Sequence, residues 1–292
     1  MEKLRVLDLF AGIGGFSLGL ERTGGFETVA FCEIEKFPKQ VLRKHWPEVP
    51  IYDDVRTLTA ERLAADGIAV DCITGGFPCQ DISTAGRQAG IADGTRSGLW
   101  SEIVRLAGDL RPPYIIVENV AALLSGPSER PGAWFGRVLG DLASLGYDAE
   151  WHCIPASHLG AHHQRDRIWI IAHTNPYGLR FQGVWRAAGG SWAEVQFARL
   201  VQVALQSAIP ARSGGGIHDG VPDRAHRLKA LGNAVVPQIP ELIGRAILAA
   251  LQDSRTARPS RACAAGEAFN PRVSPNPLQN VSHDAPYTGE RA

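Results

Sequence analysis

Leu4-Arg5-Val6-Leu7-Asp8-Leu9-Phe10-Ala11-Gly12-Ile13-Gly14-Gly15 decides how the rest of the chain is read. Leu4 to Phe10 reads as a first strand and Ala11 to Gly15 as a glycine loop. Phe16, Leu18, Gly19 and Leu20 then open an amphipathic helix. Strand, glycine loop, helix is how a doubly wound α/β sheet begins, and it sets the loop at the carboxyl edge where ligands bind. Glycines let a ligand approach the main chain, and a helix N-terminus offers free N–H groups. They can equally close a tight turn and do nothing more. The loop lacks the GxGxxG spacing of a dinucleotide fingerprint, so a pyrophosphate cofactor is not the first choice.

Outward from that loop, Thr28 to Cys32 reads as a second strand ending at Glu33, where an acid can accept hydrogen bonds from a ribose diol. Ile51 to Val55 gives a third short strand with Asp53 and Asp54 at its tip. Alone, each of these acids is as readily a helix cap or a surface charge. Taken with the loop, they suggest a cofactor that contains adenosine but no diphosphate.

A fourth strand, Ile68 to Thr74, runs into Gly75-Gly76-Phe77-Pro78-Cys79-Gln80. Two glycines allow a sharp turn and Pro78 stiffens it just ahead of a single cysteine. A thiol there is placed for a substrate to reach, and acts as a nucleophile once it is a thiolate. The plain alternative is an incidental cysteine in a tight turn. Ser97 to Asp109 reads as a helix, and Tyr114 to Val117 as a fifth strand ending at Glu118-Asn119-Val120. A thiol and a carboxylate thus fall at strand ends of one parallel sheet, on the same edge. A helix from Trp134 to Leu145 and strands at Ala149–Ile154 and Ile168–Ala172 follow. His152, Cys153, His158, His162 and His163 fit no standard zinc spacing, so no metal is expected.

The 292 residues are 45% hydrophobic, enough for one large core with a small appended region. No stretch approaches the roughly 20 apolar residues of a membrane span, and the N-terminus lacks a signal-peptide layout. The 5 cysteines form no CxxC pair and suit reduced thiols, hence a cytoplasmic protein. Net charge is zero but unevenly placed: residues 1–159 hold 15 Lys+Arg against 21 Asp+Glu, and residues 160–230 hold 9 against 4. An acidic body with one basic segment can meet a polyanion on one face, although an ordinary solvated surface also shows such asymmetry. Between Thr174 and Gly216 the periodicity fades, and Phe181, Trp185, Trp192 and Phe197 lie among Arg180, Arg186, Arg199 and Arg212. That interleaving suits nucleic acid, or a small hydrophobic satellite. Arg227 to Pro237 returns to ordered character, Ile239 to Leu251 reads as a helix able to cover the sheet near strand one, and the chain beyond Asp253 reads as a disordered tail.

In this order the pieces resemble the cytosine-5 DNA methyltransferases of bacteria and phages, over residues 4–172 and 223–251. The resemblance implies an α/β, doubly wound, mostly parallel sheet and S-adenosylmethionine as methyl donor. Asp8, Phe10, Ala11, Gly12, Gly14 and Gly15 look like the donor loop, joined by Glu33 with Ile34, Asp54 with Val55, Pro78, Leu99, and Asn233 with Val235. Cys79 and Glu118 look like the catalytic pair, with Arg165 orienting the flipped base and Arg167 supporting it. Gln80, Ser83 and Arg96 are the implied DNA contacts. The implied layout is a catalytic domain at 1–173, a short target-recognition region at 174–222, a return segment at 223–252 and the tail at 253–292. It further implies duplex DNA as partner, a monomer, and a companion restriction endonuclease. His162-His163 stand where many relatives have Pro-Gln. An RNA cytosine methyltransferase shares the same core, and a DNA-binding homologue without catalysis would retain its outline. A nicotinamide oxidoreductase is disfavoured by the loop spacing.

Overall fold

The structure is a computed structural model and describes residues 2–78, 97–127, 130–155, 166–174, 230 and 232–256. All described elements lie in one compact unit, Met1–Ala257. The described residues form a seven-stranded sheet in the order β3-β2-β1-β4-β5-β7-β6. Its strands are β1 (Leu4–Leu9), β2 (Phe26–Cys32), β3 (Ile51–Tyr52), β4 (Cys72–Gly75), β5 (Tyr114–Val120), β6 (Tyr147–Pro155) and β7 (Asp166–Thr174). The first five are mutually parallel, while β7 enters antiparallel between β5 and β6. The doubly wound, mostly parallel sheet expected from the sequence is what forms. Order reverses at β1, which pairs with β2 on one side and β4 on the other, so the loop after β1 sits at the switch point where such folds bind ligands.

Apolar residues alternate between the two faces. Leu7, Leu9 and Ile73 pack with α3 (Ala60–Ala65), α4 (Trp100–Leu110) and α5 (Ala133–Ser144). Val6, Cys72, Ile116 and Trp169 pack instead with α1 (Gly15–Glu21) and α6 (Gln238–Thr256). The short α2 (Lys36–His45) buries Leu42 against Phe31 and Ala11. In α6, Ile239, Ile243, Ile247 and Ala250 form one buried stripe at helical spacing, which fixes the face turned to α1.

Several boundaries differ from the sequence reading, and three of them have a visible local reason. Strand β4 begins at Cys72 rather than Ile68, because ahead of it the Asp71 carboxylate accepts both the Arg5 backbone N–H (3.0 Å) and its guanidinium Nε (2.7 Å). A side chain there takes a donor that a strand neighbour would otherwise use. Strand β3 stops at Tyr52, since Asp54 Oδ1 accepts the Arg56 N–H at 3.0 Å and folds the chain into an Asx turn. Helix α6 runs on to Thr256, past the expected end at Leu251. No glycine or proline interrupts that stretch, and the next proline is Pro259.

Candidate active site

Phe10 leaves β1 with φ +52°, a left-handed conformation that a residue with a Cβ rarely adopts, and Gly12 and Gly14 follow at +55° and +84°. Strain of this kind concentrates where a backbone is shaped for a ligand. The loop is held from beyond β2. Glu33 Oε2 accepts the Gly12 N–H at 2.7 Å, and Oε1 accepts the Glu35 N–H at 2.7 Å. Burial raises the Glu33 carboxyl above its ordinary pKa, and those backbone N–H groups pull it back. An ionised carboxylate offers about four lone-pair sites, so capacity remains for a hydroxyl donor. Next to it Ile34 is 62% exposed, an apolar side chain in the open beside an acid. Phe10, Gly12, Glu33 and Ile34 thus combine a diol acceptor, an apolar surface and an open main chain, which fits an adenosine.

The other donor-site candidates fall into different places. Asp8 has no exposed surface, so it acts on a ligand only through the loop. Ala11 is buried against α2. Asp54 is paired with Arg56 (Oδ2 to Nη2, 2.6 Å), which holds its carboxyl below the usual range. Val55 is buried, and its carbonyl accepts from Arg105 Nη2 at 2.9 Å, as does Leu58 O at 2.8 Å. Arg105, from α4, therefore shapes the turn after β3, a role its place in the sequence did not signal. Leu99 lies in a 3-10 turn, partly buried against the core. Asn233 is exposed, and Val235 packs beside α1. A Cβ on Gly15 would run into the Val235 carbonyl oxygen, so the return segment approaches the donor loop only because that residue is glycine.

On the neighbouring strands, Glu118 of β5 pairs with Arg167 of β7, Oε1 to Nε at 2.8 Å, with side chains only 12% and 22% exposed. Val120 stands opposite Arg167 in the antiparallel register, so the pair is set by two adjacent strands. Glu118 also borders the stem of the cysteine loop: a Cβ on Gly76 would lie 3.2 Å from Glu118 Oε2. Asn119, buried, donates from Nδ2 to the Phe77 carbonyl at 3.2 Å and accepts the Val120 N–H through Oδ1 at 2.8 Å. Phe77 in turn stacks on Trp100 at 5.5 Å. The stem that carries Pro78 toward Cys79 is thereby fixed beside the acid. Gly76 and Asn119 belong to the motifs read from the sequence, but their contacts with Glu118 and Phe77 were not signalled there. Cys79, Gln80, Ser83, Arg96 and Arg165 lie outside the described residues.

Burial pushes the Cys32 thiol up to about 12 and raises Cys72 further still, and it raises Cys153 as well. None of these thiols is helped toward a thiolate. Among the described residues no group of three or more His, Cys, Asp or Glu side chains can hold a metal ion, and no helix is long and apolar enough to cross a membrane.

A switch-point loop open to a nucleoside, on the same sheet edge as a buried carboxylate–arginine pair, is the layout of an α/β nucleoside-binding fold. The family C-5 cytosine-specific DNA methylase matches residues 4–196. The type II methyltransferase M2.BsuMI of Bacillus subtilis is 35% identical over 173 residues, covering 58% of this chain and 42% of its own length. M.Sau3AI of Staphylococcus aureus is 35% identical over 184 residues, covering 59% and 44%. A solved structure described as a DNA modification methyltransferase encoded within an E. coli prophage superposes with TM-score 0.50 at 28% identity, over 59% of this chain and 47% of that one. The chain belongs to the C-5 cytosine-specific DNA methylase family. It spans less than half the length of the two curated relatives.

Proposed function

We propose that the chain transfers a methyl group from S-adenosylmethionine to carbon 5 of a cytosine flipped out of duplex DNA. The observation that carries this reading is Glu118, held by Arg167 at 2.8 Å against Gly76 on the stem of the Cys79 loop. Carbon 5 of cytosine is a poor nucleophile while the ring is aromatic. The Cys79 thiolate forms a bond to carbon 6, and Glu118 shares a proton with ring nitrogen N3, so electron density moves to carbon 5. Help of that kind from a placed acid is worth roughly 100- to 10,000-fold. The donor supplies an electrophilic methyl on a cationic sulfonium. As carbon 5 bonds to that methyl, the methyl–sulfur bond breaks and its electron pair stays on sulfur as a neutral thioether. The carbon 5 hydrogen then leaves as a proton to solvent and the carbon 6–sulfur bond breaks, which restores the ring and frees Cys79 as a thiolate. Arg167 fixes the Glu118 carboxylate, and Arg165 orients the base. Extracting the base from the stack takes a few kcal/mol, offset by phosphate contacts and the pocket.

Phe10, Ala11, Gly12, Gly14, Gly15, Glu33, Ile34, Asp54, Val55, Pro78, Leu99, Asn233 and Val235 form the donor site, with Asp8 beneath it. Gln80, Ser83 and Arg96 face DNA. The chain works as a monomer in the cytoplasm. The relatives' type II names support a companion endonuclease of the same specificity, and digestion of methylated host DNA by that nuclease tests it. The central experiment is transfer of labelled methyl to duplex DNA and to tRNA in parallel. Duplex labelling by the wild type, with none by Cys79→Ala, is the expected result. Full activity of Cys79→Ala, or labelling of tRNA alone, would defeat the proposal.

A further inference from the structure

The buried acid beneath the donor loop takes no direct part in that chemistry, yet it joins three elements. Asp8 sits near the end of β1 with no exposed surface. Its Oδ2 accepts from Ser17 Oγ in α1 at 2.8 Å, and its Oδ1 accepts from Thr74 Oγ1 in β4 at 2.8 Å. Ser17 and Thr74 are themselves 0% exposed. The first bond closes the chain from residue 8 to residue 17 into a ring, and everything between is the glycine loop. The second reaches the next-to-last residue of β4, which leads through Gly75 into Gly76-Phe77-Pro78, the stem of the cysteine loop.

We infer that Ser17, Asp8 and Thr74 form a positioning stitch that sets the methyl-donor loop against the strand delivering the Cys79 nucleophile. The inference rests on the methyl-donor reading of the loop. A flexible loop loses conformational entropy when it is ordered around a ligand, and a ring closed beforehand reduces that loss at the moment of binding. One carboxylate serving both hydroxyls makes the spacing between donor and nucleophile a property of a single buried group. Neither hydroxyl can turn away without leaving one oxygen of the buried carboxylate short of a partner. Burial also holds the Asp8 carboxyl up at about 7, with the Ser17 and Thr74 hydroxyls opposing and Glu33 from β2 adding to the rise. Cys72 on β4 faces it too and is raised in turn. The stitch therefore sits where its own charge is dearly held.

Binding of S-adenosylmethionine to the full chain, followed by calorimetry, tests this. Thr74→Val keeps the side-chain shape and removes the hydroxyl, and is expected to weaken donor binding roughly tenfold. Thr74→Ser restores the oxygen and should bind within about twofold of wild type. Ser17→Ala, which deletes one oxygen, carries the same expectation as Thr74→Val where the latter fails to fold. Leu142→Ala, a core truncation in α5 on the opposite face, lowers stability and should leave donor affinity unchanged. Wild-type affinity in folded Thr74→Val, or equal loss in Thr74→Ser or Leu142→Ala, would overturn the stitch alone. A wild-type chain without donor affinity would overturn the methyltransferase reading and this inference with it.

Discussion

At the scale of single residues the site is a set of charges whose neighbours decide what they can do. Glu118 is mostly buried and lies 2.8 Å from the Arg167 guanidinium. Arg167→Ala removes the guanidinium that holds that carboxylate beside the Gly76 stem. Methyl transfer should fall roughly 100-fold, in the range of a misplaced general acid, with donor affinity unchanged. Arg167→Lys should not rescue it, because a lysine cannot reproduce the planar guanidinium contact. Single-turnover labelling measures both, and full activity in Arg167→Ala would remove the arginine from the mechanism. Asp8 gives a second outcome through stability. Its folded pKa of about 7 lies above the unfolded value of roughly 3.9, so the folded state binds the extra proton between them. Its contribution to stability is full below about pH 4 and is lost as pH rises through 7. Against Asp8→Asn, the wild type should therefore gain in urea midpoint as pH drops from 8 to 5. A constant difference across that window would show that the carboxyl titrates normally.

At the scale of elements, the donor loop depends on how closely α1 and the return segment approach. A Cβ on Gly19 would overlap the Pro237 carbonyl oxygen, and a Cβ on Gly244 of α6 would lie 3.0 Å from Leu20 and Thr23. Backbone atoms cannot swing aside as a side-chain tip does. Gly19→Ala should thus push Val235–Pro237 off α1 and destabilise the fold by about 1–3 kcal/mol, despite the better helix propensity of alanine. Urea unfolding reads the loss, and an unchanged or higher midpoint would contradict the packing. These contacts mark the limit of what the sequence makes legible. The strands, the glycine loop and the Glu118 strand follow from runs of apolar residues and their punctuation, which are local signals. The helix from Ile239 announced its covering face by spacing alone. By contrast, Thr74 meets Asp8 across 66 positions, Asn119 meets Phe77 across 42 and Arg105 meets Val55 across 50. No periodicity encodes which hydroxyl, amide or guanidinium will face which carbonyl. The early end of β3 was hidden for a related reason, since Asp54 reads as a strand tip until its carboxylate is seen to turn the chain.

At the scale of the whole molecule, the proposed function requires a chain of zero net charge to hold a polyanion. Residues 1–159, which contain six of the seven strands and part of the site, carry 15 Lys+Arg against 21 Asp+Glu. Residues 160–230 carry 9 against 4 and include the arginines interleaved with tryptophan and phenylalanine. A duplex would be repelled by the first part and drawn to the second, so few phosphates are neutralised and orientation is set by charge before any base is read. Each neutralised phosphate adds about 0.9 to the slope of log affinity against log salt. For about three such contacts, raising salt from roughly 50 to 200 mM should weaken duplex binding between about 10- and 100-fold. Donor binding, which involves a single net charge, should move far less over the same range. Replacing Arg180, Arg186, Arg199 and Arg212 with glutamine should flatten the duplex slope and leave the donor isotherm in place. Fluorescence anisotropy of labelled duplex beside donor calorimetry, in the same salt series, separates the two. Duplex affinity that ignores salt, or a slope unaffected by the four substitutions, would mean that the basic segment is an ordinary solvated surface and that DNA is held elsewhere.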